Sequence, residues 1–155
     1  MKLSNLNESL SLLANLGVLA GIIILAIEIQ QNTNMMKAQT RDSITDKQLE
    51  WFLSVGTNPY SAEILSRGQR DQEAFSQNQQ EGLTFTFITL SNFRMWENEL
   101  YQFEMGLFDE AEFQPRVNQW KRLLESNAGI RAVWINTNRN YSPELRNLLG
   151  TYGDD

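Results

Sequence analysis

The chain has 155 residues, with 13 Lys plus Arg against 19 Asp plus Glu and neither His nor Cys, a length that fits one domain. Without those two residue types there is no thiol nucleophile, disulfide, Cys/His zinc site, Ser-His-Asp triad, histidine proton shuttle or haem-ligating histidine. The net charge of −6 argues against nucleic acid as a partner, because that affinity rests on clustered Lys and Arg neutralising phosphates.

The apolar residues are unevenly placed. Leu10 to Ile27 reads LSLLANLGVLAGIIILAI, 18 residues without a charge and with Ser11 and Asn15 as the polar side chains. At about 1.5 Å per residue, such a run approaches the length that crosses about 30 Å of hydrocarbon. It is apolar on all sides, whereas a core helix of a small domain keeps a polar face. A cleavable signal peptide competes, with Lys2 as a weak positive flank, but AIEIQQNTN offers no small-x-small cleavage pattern. The expected organisation is a flank over 1–9, a transmembrane helix over 10–29 and a helical soluble domain over 30–155. Lys37, Arg41 and Lys47 follow the span while Lys2 precedes it, so the positive-inside rule favours a cytoplasmic C-terminal domain.

One stripe of this helix stands out. With Gly17 at zero and about 100° per residue, Ala14, Gly21, Ile24 and Glu28 all fall within about 60° of it. Gly17 and Gly21 form a GxxxG, which lets helix backbones approach closely, with Glu28 on the same stripe at the membrane edge. The stripe Ala14, Gly17, Gly21, Ile24 and Glu28 is the expected helix–helix interface. Asn15 lies on the opposite side.

After the span no Pro or Gly interrupts Gln30 to Val55, and Met36, Ile44, Trp51, Phe52 and Val55 sit at spacings that a helix gathers on one face. Gly56-Thr57-Asn58-Pro59 is the first break, with Asn58 as a cap and Pro59 in the first turn of a helix expected to run to about Arg67 and stop at Gly68. Gln69 to Gln80 is polar and reads as a linker. The start of the next segment, LTFTFITL, alternates like a strand, but Ile88, Phe93, Trp96, Leu100 and Phe103 follow a helical period and no second strand exists to pair with it. Gly106 ends that helix, and Asp109 or Glu110 opens another whose buried stripe is Val117, Trp120, Leu123 and Leu124. Asn127-Ala128-Gly129 breaks it, and Ile130, Val133 and Trp134 continue the packing. Ser142 then caps a last helix with Pro143 at N1, and Gly150, Gly153 and two Asp close the chain. The expected fold is all-α: a transmembrane helix continuing into a bundle of about five helices.

One polar cluster invites a chemical reading. On a helix Glu97, Tyr101 and Glu104 share a face, with Arg94 three residues before Glu97. A carboxylate pair there suits acid/base work or a hard metal ion, although such ions usually need ligands from more than one element. Against that stands a plain packing role, with Arg94 and Glu97 paired and Tyr101 packed beneath them. Trp51, Trp96, Trp120 and Trp134 read as core rather than as a ligand box. The sequence supplies no catalytic, cofactor-binding or metal site.

AIEIQQNT (Ala26 to Thr33), NPYSAEILSRG (Asn58 to Gly68), FRMWENELYQFEMGLFDEAEF (Phe93 to Phe113) and, more weakly, NAGIRAVWINTNRNYSPELRNLL (Asn127 to Leu149) resemble a family of small bacterial proteins of uncharacterised activity. Those proteins have an N-terminal membrane helix followed by a helical domain. The resemblance implies a membrane-anchored helical protein, in a bacterial inner membrane, and brings no catalytic residues.

Three function classes follow. The first is a self-associating scaffold or interaction protein, with the bilayer, further copies of itself and another protein as partners. The second is a small oligomeric channel or transport accessory with Glu28, Gln31 or Asn15 facing a pore. The third is an anchored enzyme that uses carboxylates. Beyond the span stand 12 basic and 17 acidic residues, net −5, so the exposed domain is repelled by an anionic membrane surface and its attachment rests on the helix alone.

Overall fold

The computed structural model describes residues 3–71, 73–150 and 152. Lys2 of the flank and Gly153, Asp154 and Asp155 lie outside them. The described residues are all-α, without a strand: α1 (Leu3–Gly56), α2 (Pro59–Arg70), α3 (Gln79–Glu104), α4 (Glu110–Ser126), α5 (Ala128–Thr137), a 3-10 turn (Asn138–Asn140) and α6 (Pro143–Leu149). The chain divides into two compact units, Met1–Gln39 and Thr40–Asp155.

The first unit is helical throughout its described residues. The large apolar side chains described within it are exposed, from 49% at Ile27 to 65% at Leu13, so the unit does not bury them itself. Among the described residues one helix is long and apolar enough to cross a membrane, and none of its most apolar window is buried.

The second unit holds the core. Prolines and caps set its boundaries where the sequence placed them. The Asn58 side chain accepts from the Tyr60 and Ser61 amides with Pro59 at the start of α2, and the Ser142 hydroxyl accepts from the Leu145 amide with Pro143 at the start of α6. The segment LTFTFITL, expected to be helical although it alternates like a strand, is the front of α3, and Gly106 follows that helix at φ 70°. Asp109 stands at the N-cap position of α4, and Arg131 of α5 caps the other end, donating 2.9 Å bonds to the Leu124 and Glu125 carbonyls.

Two glycines act differently from the expectation. Gly68 does not stop α2, which runs to Arg70; the break expected over Asn127-Ala128-Gly129 falls at Asn127, between α4 and α5, with Gly129 already inside α5. Both are buried because α2 and α5 cross there: a Cβ on Gly129 would stand 1.7 Å from the Gly68 carbonyl oxygen, and one on Gly68 would meet the Phe85 ring at 2.4 Å. Glycine serves here to let two backbones approach, not to end a helix.

The core is aromatic. Phe93 packs edge-on against Trp134, with ring centroids 5.2 Å apart, and against Tyr141. Trp96 stacks on Trp120 at 5.4 Å, and Phe103 on Phe113 at 4.2 Å. The stripe of α3 is Phe85, Thr89, Phe93, Trp96, Glu99 and Leu100, whereas Ile88 and Phe103 are half-buried at its edges. On α4 it is Phe113, Val117, Trp120 and Leu124, with Leu123 half-buried. The α1 residues of this unit present Ile44, Gln48, Trp51 and Val55 to the bundle, while Phe52 is exposed. Met36, expected on the same face, is exposed too.

Candidate functional site

The expected interface stripe Ala14, Gly17, Gly21, Ile24 and Glu28 is exposed at every position. A Cβ on Gly17 or Gly21 would meet nothing within 4 Å, and neither residue has a positive φ. The chain itself therefore gives neither glycine a role, although each weakens the helix by roughly 1 kcal/mol relative to Ala.

The cluster Arg94, Glu97, Tyr101 and Glu104 divides in two. Arg94 Nη1 donates to Glu97 Oε2 at 2.5 Å, as expected of a pair three residues apart. Tyr101 does not pack beneath them but is 56% exposed, because its position turns away from the Phe93–Trp96–Leu100 stripe. Tyr141 takes that place, with the Arg94 guanidinium 4.4 Å from its ring centroid. Arg94 Nη2 also donates to the Asn140 carbonyl at 3.2 Å, and Glu97 Oε1 accepts from the Ser142 amide at 2.7 Å. Arg94 and Glu97 thus tie α3 to the start of α6. Burial and the Glu97 charge raise the Tyr141 hydroxyl pKa, against the lowering effect of Arg94. Glu97, Tyr101 and Glu104 do line a shallow 430 Å³ surface cavity together with Glu144 of α6. Among the described residues, however, no three acidic side chains are placed to hold a metal ion.

The charged group that sequence reasoning missed is Glu99. It is 2% exposed and lies on the buried stripe of α3. Its Oε1 accepts from Gln48 Nε2 of α1 at 2.7 Å, and its Oε2 from Arg116 Nη1 of α4 at 3.2 Å. Desolvation raises its pKa, opposed by the Arg116 charge and by the bonds from Gln48 and Arg116. The Arg116 guanidinium also lies 5.0 Å from the Phe108 ring centroid.

These groups stand at the edge of a cavity of about 670 Å³ between α1, α3 and α4. Trp51 and Val55 supply one wall, and Met95 with the stacked Trp96 and Trp120 supply the other. Leu65 of α2 and Ile130 of α5 complete it beside the Gly68–Gly129 crossing. Trp51 is held by an indole N–H bond to Ser91 Oγ at 3.0 Å. The size and the apolar lining with a few convergent polar groups are those of a small-molecule site. Trp96 and Trp120 are core residues, as expected, and also walls of this cavity.

The chain matches no family model, and it is similar to no curated protein and to no solved structure.

Proposed function

We propose that this is a single-pass membrane protein of the bacterial family whose segments it resembles, anchored in the inner membrane by residues 10–29 with the 30–155 domain in the cytoplasm. It works as a self-associating interaction protein. The observation that carries this reading is the apolar surface from Leu10 to Ile29, whose described large side chains are all exposed. A core helix would be buried, and a bare apolar helix of this length in water would aggregate, so lipid is the fitting surrounding. Lys37, Arg41 and Lys47 after the span favour the cytoplasmic side.

Self-association is supported by the two glycines. They are costly to a lone helix, unneeded by the chain's own packing, and placed with Ala14 and Ile24 where a second helix would touch. The test is the mass of the detergent-solubilised protein, for the native chain and for a Gly17→Leu, Gly21→Leu variant. The native chain should be an oligomer and the variant a monomer; equal masses overturn the stripe as the assembly surface. The mass of one chain decides the anchor, since a chain shortened at its N-terminus would identify the segment as a cleaved signal.

A further inference from the structure

We infer that the cavity between α1, α3 and α4 binds a small monocarboxylate with an aromatic or aliphatic body, its carboxylate on Arg116 and its body between Trp51 and the Trp96–Trp120 stack. The site lies wholly within the Thr40–Asp155 unit and does not depend on the membrane reading.

The head group follows from which half of the ion pair is presented. Both oxygens of Glu99 already accept hydrogen bonds and its side chain is 2% exposed, whereas the Arg116 side chain is 22% exposed and lines the cavity. A ligand thus meets the cation. A guanidinium carries five N–H donors, and Glu99 takes one bond at Nη1, leaving an edge suited to a planar carboxylate. Glu99 behind it fixes the guanidinium and offsets its charge. A carboxylate or a phosphate would each share Arg116 with Glu99, so a single negative charge leaves the site with one uncompensated charge fewer than a phosphate dianion. The Asn92 and Gln119 amides, which also line the cavity, add neutral hydrogen-bonding groups.

The body follows from the walls. Two indoles stacked with 16° between their planes, a third indole held by Ser91 and the Met95 thioether form a flat apolar slot. A volume of about 670 Å³ lies within the range of sites that enclose small organic ligands.

The test uses the full chain in lipid nanodiscs, with phenylbutyrate and its neutral counterpart phenylbutanol as probes. Binding is followed by calorimetry and by tryptophan fluorescence, with protein-free nanodiscs as the blank. The acid should bind about tenfold more tightly than the alcohol, and Leu123→Trp, which fills the cavity, should abolish both. Arg116→Gln should remove the preference for the acid. Should that variant fail to fold because Glu99 is left unpaired, the Glu99→Gln, Arg116→Gln double variant removes the arginine without leaving a lone buried charge, and it should lose the preference equally. Equal affinity of the two probes for the native chain, no binding of either, or an acid preference that survives loss of Arg116 overturns the inference. Tighter binding of phenyl phosphate overturns the monoanion assignment. Acid binding that weakens as protein concentration rises, with dimer formation in parallel, assigns the cavity to a second copy of the chain instead.

Discussion

Gly129→Ala gives a sharp test of how the second unit is packed. The added Cβ would stand 1.7 Å from the Gly68 carbonyl oxygen and 2.8 Å from its carbonyl carbon, and a backbone cannot turn aside as a flexible side chain can. Helices α2 and α5 must separate, and overpacking of this kind costs about 3 kcal/mol. Alanine returns about 1 kcal/mol through its better helix propensity, so the net loss is about 2 kcal/mol. For a unit of this length that lowers Tm by about 8 °C. Near-ultraviolet circular dichroism is the suitable assay, since its signal comes from the packed Trp96, Trp120 and Trp134 and not from the apolar helix. Because Leu65, Gln69 and Ile130 of the same two helices line the cavity, the variant should also weaken phenylbutyrate binding. Gly56→Ala is the control: its Cβ would meet nothing within 4 Å, and Tm should hold or rise slightly. A Gly129→Ala protein as stable as the native one would show that α2 and α5 do not cross in contact at these glycines.

Other expectations concern the charged and aromatic groups. Between the ordinary carboxyl pKa near 4.5 and its raised folded value, Glu99 keeps in the native state a proton that the unfolded chain has released. Its contribution therefore weakens stability as pH rises through that window. Urea midpoints measured across it should fall relative to those of Glu99→Gln, and parallel curves would contradict the burial assigned to this carboxylate. Tyr101→Ala should change stability by no more than about 0.5 kcal/mol, whereas Tyr141→Ala should cost about 3 kcal/mol or more; denaturant unfolding of the two variants separates them. Glu97→Ala removes the acceptor for the Ser142 amide and should cost about 1 to 2 kcal/mol, with faster hydrogen exchange at the start of α6.

What the sequence made legible depended on whether the signal was local. Asn58-Pro59 and Ser142-Pro143 name their own helix starts, because cap and proline lie side by side and act on the nearest backbone. The apolar run from Leu10 to Ile27 was equally plain. Gly68 reads as a helix end, and Gly129 as part of a break that falls at Asn127, because glycine marks both a helix end and a close crossing, and only the partner helix distinguishes the two. In Arg94 to Glu104 the face that suggests chemistry, that of Glu97, Tyr101 and Glu104, is largely solvent-facing. Glu99 falls three residues after Trp96 and so on the buried stripe. That spacing was a readable signal, but its partners Gln48 and Arg116 come from other helices and leave no mark near it.

The central claim is that residues 10–29 lie in a bilayer with the helical domain on the cytoplasmic side. Because the chain has no cysteine, single thiols can be placed at Ala20 and Ser76 and probed in bacterial cells with a membrane-impermeant maleimide. Ala20→Cys should resist labelling in intact and broken cells and react only after the membrane is dissolved in denaturing detergent, while Ser76→Cys should react once cells are broken. Labelling of Ala20→Cys in undissolved membranes would contradict the span, and labelling of Ser76→Cys in cells whose outer membrane alone is opened would reverse the orientation.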